Sequence, residues 1–326
     1  MIKKKSDISV IIPCYNGWQY IDKCLCAFEN QTVIPHEIII VDDCSTDDSY
    51  EKLTDYKSLS EINIIVKRNE KNCGPSISRE KAIAVASGKY VAFCDCDDWY
   101  ETNFIEEISK AIKDSNADLI MCDYYTAYDD RKIPSHITKS LVGSKKRELL
   151  THANMSLWIL VGKKGLFDEI VFPPLYNGED AAIIPQLIAK AEKVAIVDKP
   201  LYNYYFREDS LSKRPDAKAY LGMLKAFHTV NKTIKDNYPA ECECIGINYV
   251  CYGATLNAFK TGTSKKAVRD IMTEFEAEYP NWYRSVPLLN LGRIKTIYLW
   301  FLRHKCFLCV RLMALFHHCY TKRRKK

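Results

Sequence analysis

Carboxylates dominate the short runs of this sequence that could do chemistry. Asp95-Cys-Asp97-Asp98 puts three acids in four residues, directly after the apolar run Tyr90–Cys94 and directly before Trp99. Acids held together repel and raise one another's pKa unless a cation compensates. Their hard oxygens suit Mg²⁺ or Mn²⁺, which binds through one or two carboxylates plus substrate phosphates. An acidic turn leading into a helix near Asn103 has the same composition. Asp42-Asp43 follows the run Glu37–Val41, where a nucleotide-binding βαβ unit carries the acid that bonds a ribose or base edge. Ser45-Thr46-Asp47 is helix-capping chemistry in either case. Glu179-Asp180 is a third acidic pair, suited to proton transfer or to a helix N-terminus. The chain has no G-x-G-x-x-G and no G-x-x-x-x-G-K-[ST], so a bound diphosphate would need a metal and basic side chains.

The elements that must position these acids alternate over the first 125 residues. Strand-like runs at Ile8–Ile12, Glu37–Val41, Ile62–Val66, Tyr90–Cys94 and Ala117–Cys122 are separated by helical patterns at Trp18–Asn30, Thr46–Tyr56, Pro75–Ser87 and Asn103–Lys113. Pro75 opens the third helix and Gly88 follows its end, the expected asymmetry. The strands are continuous apolar runs, as buried parallel strands are. A β-α-β-α order predicts a mostly parallel sheet with helices on both faces, and ligands outside the carboxyl ends of its strands. Pro13-Cys-Tyr-Asn16, Asp42 to Asp47 and Asp95 to Asp98 all fall at such ends.

Together these segments carry a resemblance. Ile11–Asn16, Glu37–Asp47, Asn72-Cys-Gly-Pro-Ser-Ile-Ser-Arg79 and Tyr90–Asp98 resemble the family 2 glycosyltransferases, inverting enzymes of the Rossmann-like GT-A fold. Trp158–Phe167, Val171-Phe-Pro with Gly178-Glu-Asp180, and Leu201–Arg207 with Ser210 are similar to the second half of bacterial surface-polysaccharide members. The resemblance covers roughly residues 6–212. It implies that Asp95 and Asp97 form the Asp-x-Asp motif, with Asp97 the direct ligand of Mn²⁺ or Mg²⁺. It implies that Pro13, Tyr15, Asn16 and Asp43 line the nucleoside pocket, with Asp43 accepting from the base, and that Arg79 lies near the nucleotide. Asp180 falls at the general-base position. Trp158 and Glu179 are candidates for the acceptor site. Two positions depart from the family pattern: Glu80 stands where Asn is frequent, and Cys44 where Gly is frequent.

The implied domains are 6–125 for the nucleotide-sugar half, 126–212 for the acceptor and base half, 213–285 as a helical region and 286–326 as a basic tail. Net charge is +6, with 47 bases and 41 acids. No acid follows Glu278, and without the eleven bases after it 36 bases face 41 acids. The apolar blocks Ile297–Leu302, Phe307–Val310 and Leu312–Phe316 are split by Arg303, Lys305 and Arg311, too frequent for a spanning helix. They fit an amphipathic segment on the inner leaflet, or a core helix with a solvated basic end. A basic patch also binds nucleic acid, but no recognition fold accompanies this one. The N-terminal residues lack an apolar signal core, which leads to the expectation of a cytoplasmic, peripherally membrane-associated protein whose 14 cysteines are thiols. Asn154 and Asn231 then carry no glycan.

Other clusters have plainer readings. Cys24/Cys26, Cys242/Cys244 and Cys306/Cys309 with His317-His318 lack the paired C-x₂-C spacing of a zinc ribbon. Tyr202, Tyr204, Tyr205 and Phe206 read as packing or as a platform for an acceptor sugar. The resulting expectation is a sugar transfer from a nucleotide sugar, of UDP class, to a lipid-linked or surface glycan. The rivals are a nucleotidyltransferase, which would need a glycine- and lysine-bearing loop where Pro13–Asn16 stands, and an inactive module, which Asp95, Asp97 and Asp180 together argue against.

Overall fold

The computed structural model describes residues 3–152, 156–175, 178–207 and 219–323, with side chains up to His317. Asn154, Ser210 and the last three basic residues therefore lie outside the described residues. The chain divides into two compact units, Met1–Leu149 with Ala153–Ser210, and Leu150–His152 with Leu211–Lys326.

The first unit is built on β1 (Ile8–Cys14), α1 (Trp18–Glu29), β2 (Glu37–Asp42), α2 (Ser49–Leu59), β3 (Ile64–Arg68), α3 (Pro75–Val85) and β4 (Tyr90–Phe93). β5 (Trp99–Tyr100), α4 (Phe104–Ser115), β6 (Leu119–Ala127), β7 (Lys132–Pro134) and α5 (Lys146–His152) follow. β8 (Leu160–Lys163), α6 (Glu179–Lys190) and β9 (Val194–Tyr205) come next. The strand order is β3-β2-β1-β4-β8-β6-β9-β5, with β7 on β6. β1 pairs in parallel with β2 and β4, and β2 with β3, which is the expected nucleotide-binding half. Every residue of β2 and β4 is buried, which explains their unbroken apolar runs. Pro13 sits in a central strand without a ladder defect because β4 pairs with β1 only as far as Ile11.

Beyond β4 the sheet becomes mixed. The fifth strand of the sequence pattern, β6, does not lie beside β4. β8 inserts between them and is antiparallel to both. β8 has only four residues, one of them Gly162, where an added Cβ would meet the Phe167 ring at 3.1 Å. β9 runs parallel to β6 through a register shift at Cys122 to Tyr124, and then pairs with β5. That last pairing anchors the acidic loop after β4 to the far half of the sheet.

The second unit is helical: α7 (Ala219–Ile234), α8 (Pro239–Gly246), a π-helical stretch Ile247–Ala254, α9 (Thr255–Lys260), α10 (Lys265–Glu278), α11 (Arg293–Arg303) and α12 (Phe307–Arg323). Ser264 caps α10 by accepting from the Ala267 N–H. Among the described residues, no helix is long and apolar enough to cross a membrane.

Candidate active site

The loop between β4 and β5 carries Asp95, Asp97 and Asp98, and the structure gives the three acids separate surroundings. Asp98 is buried; its Oδ2 accepts from the Tyr202 hydroxyl at 2.7 Å and its Oδ1 from the Tyr205 N–H at 2.7 Å. Tyr202 also accepts the Asp95 N–H on its hydroxyl at 3.1 Å. Asp98 is thus the clamp that fixes the loop on β9. Burial, then Asp97 and Asp95, push its pKa well above the usual carboxylate range. A tight approach fixes the other side, since a Cβ on Gly17 would stand 2.8 Å from Cys96 Sγ and 3.0 Å from Cys14 Sγ.

Asp97 pairs with Arg207, whose Nη2 lies 2.5 Å from Oδ2. Arg207 lies two residues beyond the end of β9 and packs its guanidinium 4.0 Å from the centre of the Tyr20 ring. Burial and the neighbouring Asp95 push the Asp97 pKa up, while Arg207 pulls against them. Sequence reasoning quoted Arg207 within a motif but gave it no role; its partner lies 110 positions away.

Asp95 turns to a different arginine. Arg79 Nη2 is 2.7 Å from Asp95 Oδ1, and Nη1 is 2.5 Å from Glu179 Oε1 and 3.7 Å from Asp180 Oδ1. The Arg79 side chain is 4 % exposed. Burial opposes its charge, but Asp95, Glu179 and Asp180 outweigh burial and hold it firmly protonated. One guanidinium therefore joins the rim of β4 to the first turn of α6. This brings together Asp95 and Asp180, residues 85 positions apart in sequence.

Gly178, at φ 86°, turns the chain into α6, so Glu179 and Asp180 occupy its first turn, where the helix dipole favours anions. Asp180 Oδ2 accepts from the Leu157 N–H at 3.2 Å. Its Oδ1 and Arg79 Nε are buried without a hydrogen-bond partner. Burial, then the charge of Glu179, push the Asp180 pKa up to about 8 against the pull of Arg79. A carboxylate with an oxygen free of hydrogen bonds and a pKa near neutrality has the properties of a general base.

The other sequence candidates fall into two groups. Asn16, at φ 49°, ties the β1 rim to the β2 rim: its N–H donates to Ser45 Oγ at 2.9 Å, and its Oδ1 accepts from the Thr46 N–H at 2.9 Å. Pro13 is half-buried beside it and Tyr15 is exposed, so this rim stays open. Asp43 is buried, and its oxygens accept from Asn69 Nδ2 at 2.7 Å, Cys73 N at 2.9 Å and Gly74 N at 2.7 Å. Here it builds the loop that starts α3. The two acceptor candidates are both buried. Glu179 lies against Arg79 and supports that guanidinium. Trp158 stacks on Tyr202 and Tyr204, at centroid distances of 4.5 and 5.8 Å.

Among the described residues, no three His, Cys, Asp or Glu side chains converge as metal ligands. Asp95 and Asp97 are partly exposed, and each uses one oxygen for an arginine, leaving the second outside those pairs. Two hard carboxylates beside an open rim fit Mg²⁺ or Mn²⁺ completing its shell from phosphate and water.

Residues 9–163 match the family described as glycosyl transferase family 2. Over that stretch, just under half of its length, the chain is similar to the family 2 glycosyltransferases. Over 226 residues it is 30 % identical to glycosyltransferase GlyA of Streptococcus pneumoniae, covering 63 % of this chain and 31 % of GlyA. It is 29 % identical over 215 residues to the poly(ribitol-phosphate) beta-glucosyltransferase of Bacillus spizizenii, covering 61 % of this chain and 32 % of that protein. The chain thus spans about a third of the length of those two curated relatives. Residues 1–349 of S. aureus TarS, solved in complex with UDP-GlcNAc, share the GT-A fold with it. The TM-score is 0.72 at 21 % identity, over 96 % of this chain and 90 % of that one.

Proposed function

We propose that this protein is a metal-dependent, inverting family 2 glycosyltransferase. It transfers a sugar from a nucleotide sugar, of UDP class, to a lipid-linked or growing surface glycan at the cytoplasmic face of the membrane. The observation that carries the reading is the shared guanidinium: Arg79 holds Asp95, at the motif end, within one ion-pair cluster of Asp180. A transferase needs one acid group at the leaving diphosphate and another at the attacking hydroxyl, on opposite sides of the anomeric carbon.

Asp97 and Asp95 would hold Mn²⁺ or Mg²⁺, which supplies electrostatic stabilisation to the departing nucleoside diphosphate. The open rim at Pro13, Tyr15 and Asn16 suits the nucleoside. Asp180 accepts the proton of the acceptor hydroxyl as the hydroxyl oxygen bonds to the anomeric carbon. The bond from that carbon to the diphosphate breaks, and the electron pair leaves with the diphosphate. A single displacement inverts the configuration. Arg79, fixed by Glu179, orients Asp180 and pulls its pKa back toward neutrality. The UDP class is supported by the TarS complex and the glycan acceptor by the poly(ribitol-phosphate) relative.

The test is a panel of UDP-, GDP-, CDP- and dTDP-sugars with and without Mn²⁺, read by nucleoside diphosphate release. The expected result is release from a UDP-sugar that requires Mn²⁺ and fails in Asp97→Ala. Release that survives Asp97→Ala, or formation of a nucleotide sugar from a nucleoside triphosphate, contradicts the proposal.

A further inference from the structure

The second unit ends in two helices that are apolar on both sides. In α11, Tyr298, Leu299 and Leu302 are buried. Ile294, Ile297 and Trp300 are 70, 50 and 54 % exposed. At about 3.6 residues per turn, the two sets lie on opposite sides of the helix. α12 repeats the arrangement: Phe307, Val310 and Ala314 are buried, while Leu308, Leu312, Leu315 and Phe316 are exposed, Phe316 by 73 %. An ordinary surface helix carries one apolar stripe, toward the core, and polar residues opposite. Neither helix has an acid, and none follows Glu278 in the sequence.

The exposed charges on these helices are cations. Arg293, Arg303 and Arg311 are exposed, and among the described residues none has an acidic partner. Exposed Ile, Leu, Trp and Phe interspersed with unpaired arginines match a bilayer whose surface is anionic, with the rings and aliphatic chains at the acyl boundary and the guanidinium groups at the phosphates. A protein partner covering the same face would have to be both acidic and strongly apolar.

We propose that the outward faces of α11 and α12 dock this protein on an anionic lipid surface. The inference rests on the lipid-side acceptor reading above for its purpose, but it stands on separate residues. It places Ile297, Trp300, Leu312 and Phe316 in the interface and Arg293, Arg303 and Arg311 at the headgroups. Among the described residues no helix is long and apolar enough to span the bilayer; the proposed binding is reversible and weakens with salt.

Flotation of the full chain tests this, using phosphatidylcholine vesicles with and without roughly one third phosphatidylglycerol. The expected result is recovery with the phosphatidylglycerol vesicles only, and release at high salt. Trp300→Ser and Phe316→Ser should each lower partitioning about tenfold, whereas Leu59→Ser, on exposed α2, should change nothing. Nucleoside diphosphate release from a soluble donor should be unchanged in all three variants. Its absence in the wild type would count against the catalytic reading and leave the flotation result intact. The inference is overturned if the wild type does not float with anionic vesicles, or if Trp300→Ser and Phe316→Ser float equally well. It is also overturned if wild-type self-association, abolished by those substitutions, takes the place of vesicle binding.

Discussion

The two acidic ends of the site are built on opposite principles. At the β4 end each carboxylate has its own support: Asp97 takes Arg207, Asp98 takes two tyrosines of β9, and Asp95 takes one arm of Arg79. At the α6 end two adjacent carboxylates share the other arm of Arg79, and that arm is 2.5 Å from Glu179 but 3.7 Å from Asp180. Asp180 is the under-served member, and burial with a like charge beside it leaves its pKa near 8. The number of acids is therefore a poor guide to role. The distribution of counter-charge separates the acids that have an arginine of their own from the one left under-served beside a like charge.

Breaking the shared arginine should produce the largest effect. Arg79→Met leaves Asp95, Glu179 and Asp180 facing one another without a counter-ion. Loss of one partner of a buried pair costs about 3–5 kcal/mol, which denaturant unfolding would read as a drop in midpoint. Transfer should be lost with it. Unchanged stability would mean that the two ends are independent.

A milder change sharpens the contrast between the two acids of α6. Glu179→Gln removes the like charge that raises Asp180 and frees an arm of Arg79 for it. Both effects lower the Asp180 pKa. The acid limb of the pH profile of kcat/KM, expected near 8 in the wild type, should move down by about one unit. The sign for stability follows from the same shift. A carboxylate that keeps its proton up to about pH 8 when folded, but only to about 4 when unfolded, loses stability as pH rises between those values. In Glu179→Gln that decline should be shallower.

The smallest effect lies outside both ends. Cys44 sits at φ 60°, the left-handed region that favours glycine, between Asp43 and Ser45. Cys44→Gly should relieve strain, offset in part by unfolded-chain entropy, for a net gain of about 0.5 kcal/mol with unchanged activity. A thermal scan would show it as a slight rise in Tm.

How much of this was legible in the sequence follows the same division. Strands β1 to β4 and helices α1 to α4 could be read to within a few residues, because strands buried on both faces leave unbroken apolar runs and the helices between them carry their own start and stop signals. The acids could be found because they sit at strand ends. β8 escaped notice, being four residues long with a glycine inside, and so did the extension of β9 through its tyrosines, whose alternation with Asn203 resembles a polar loop. The arginine contacts were invisible for a different reason. Arg79 meets Glu179 100 positions away and Arg207 meets Asp97 110 positions away, and no local periodicity encodes such distances. A lone cation closing the aromatic run Tyr202–Phe206 was the only hint of Arg207. Trp158 was ambiguous in the sequence because indole serves stacking on a sugar and packing on tyrosine equally well; the structure buries it against Tyr202 and Tyr204.

The central claim is that Asp180, at the under-served end of Arg79, accepts the proton of the acceptor. Asp180→Asn tests it most directly, by calorimetric binding of the donor with Mn²⁺ alongside single-turnover transfer to the acceptor. The account predicts donor affinity within about threefold of the wild type and transfer slowed by about 10³-fold or more. Transfer within about tenfold of the wild-type rate, or loss of donor binding with the residual rate unchanged at saturation, would contradict it.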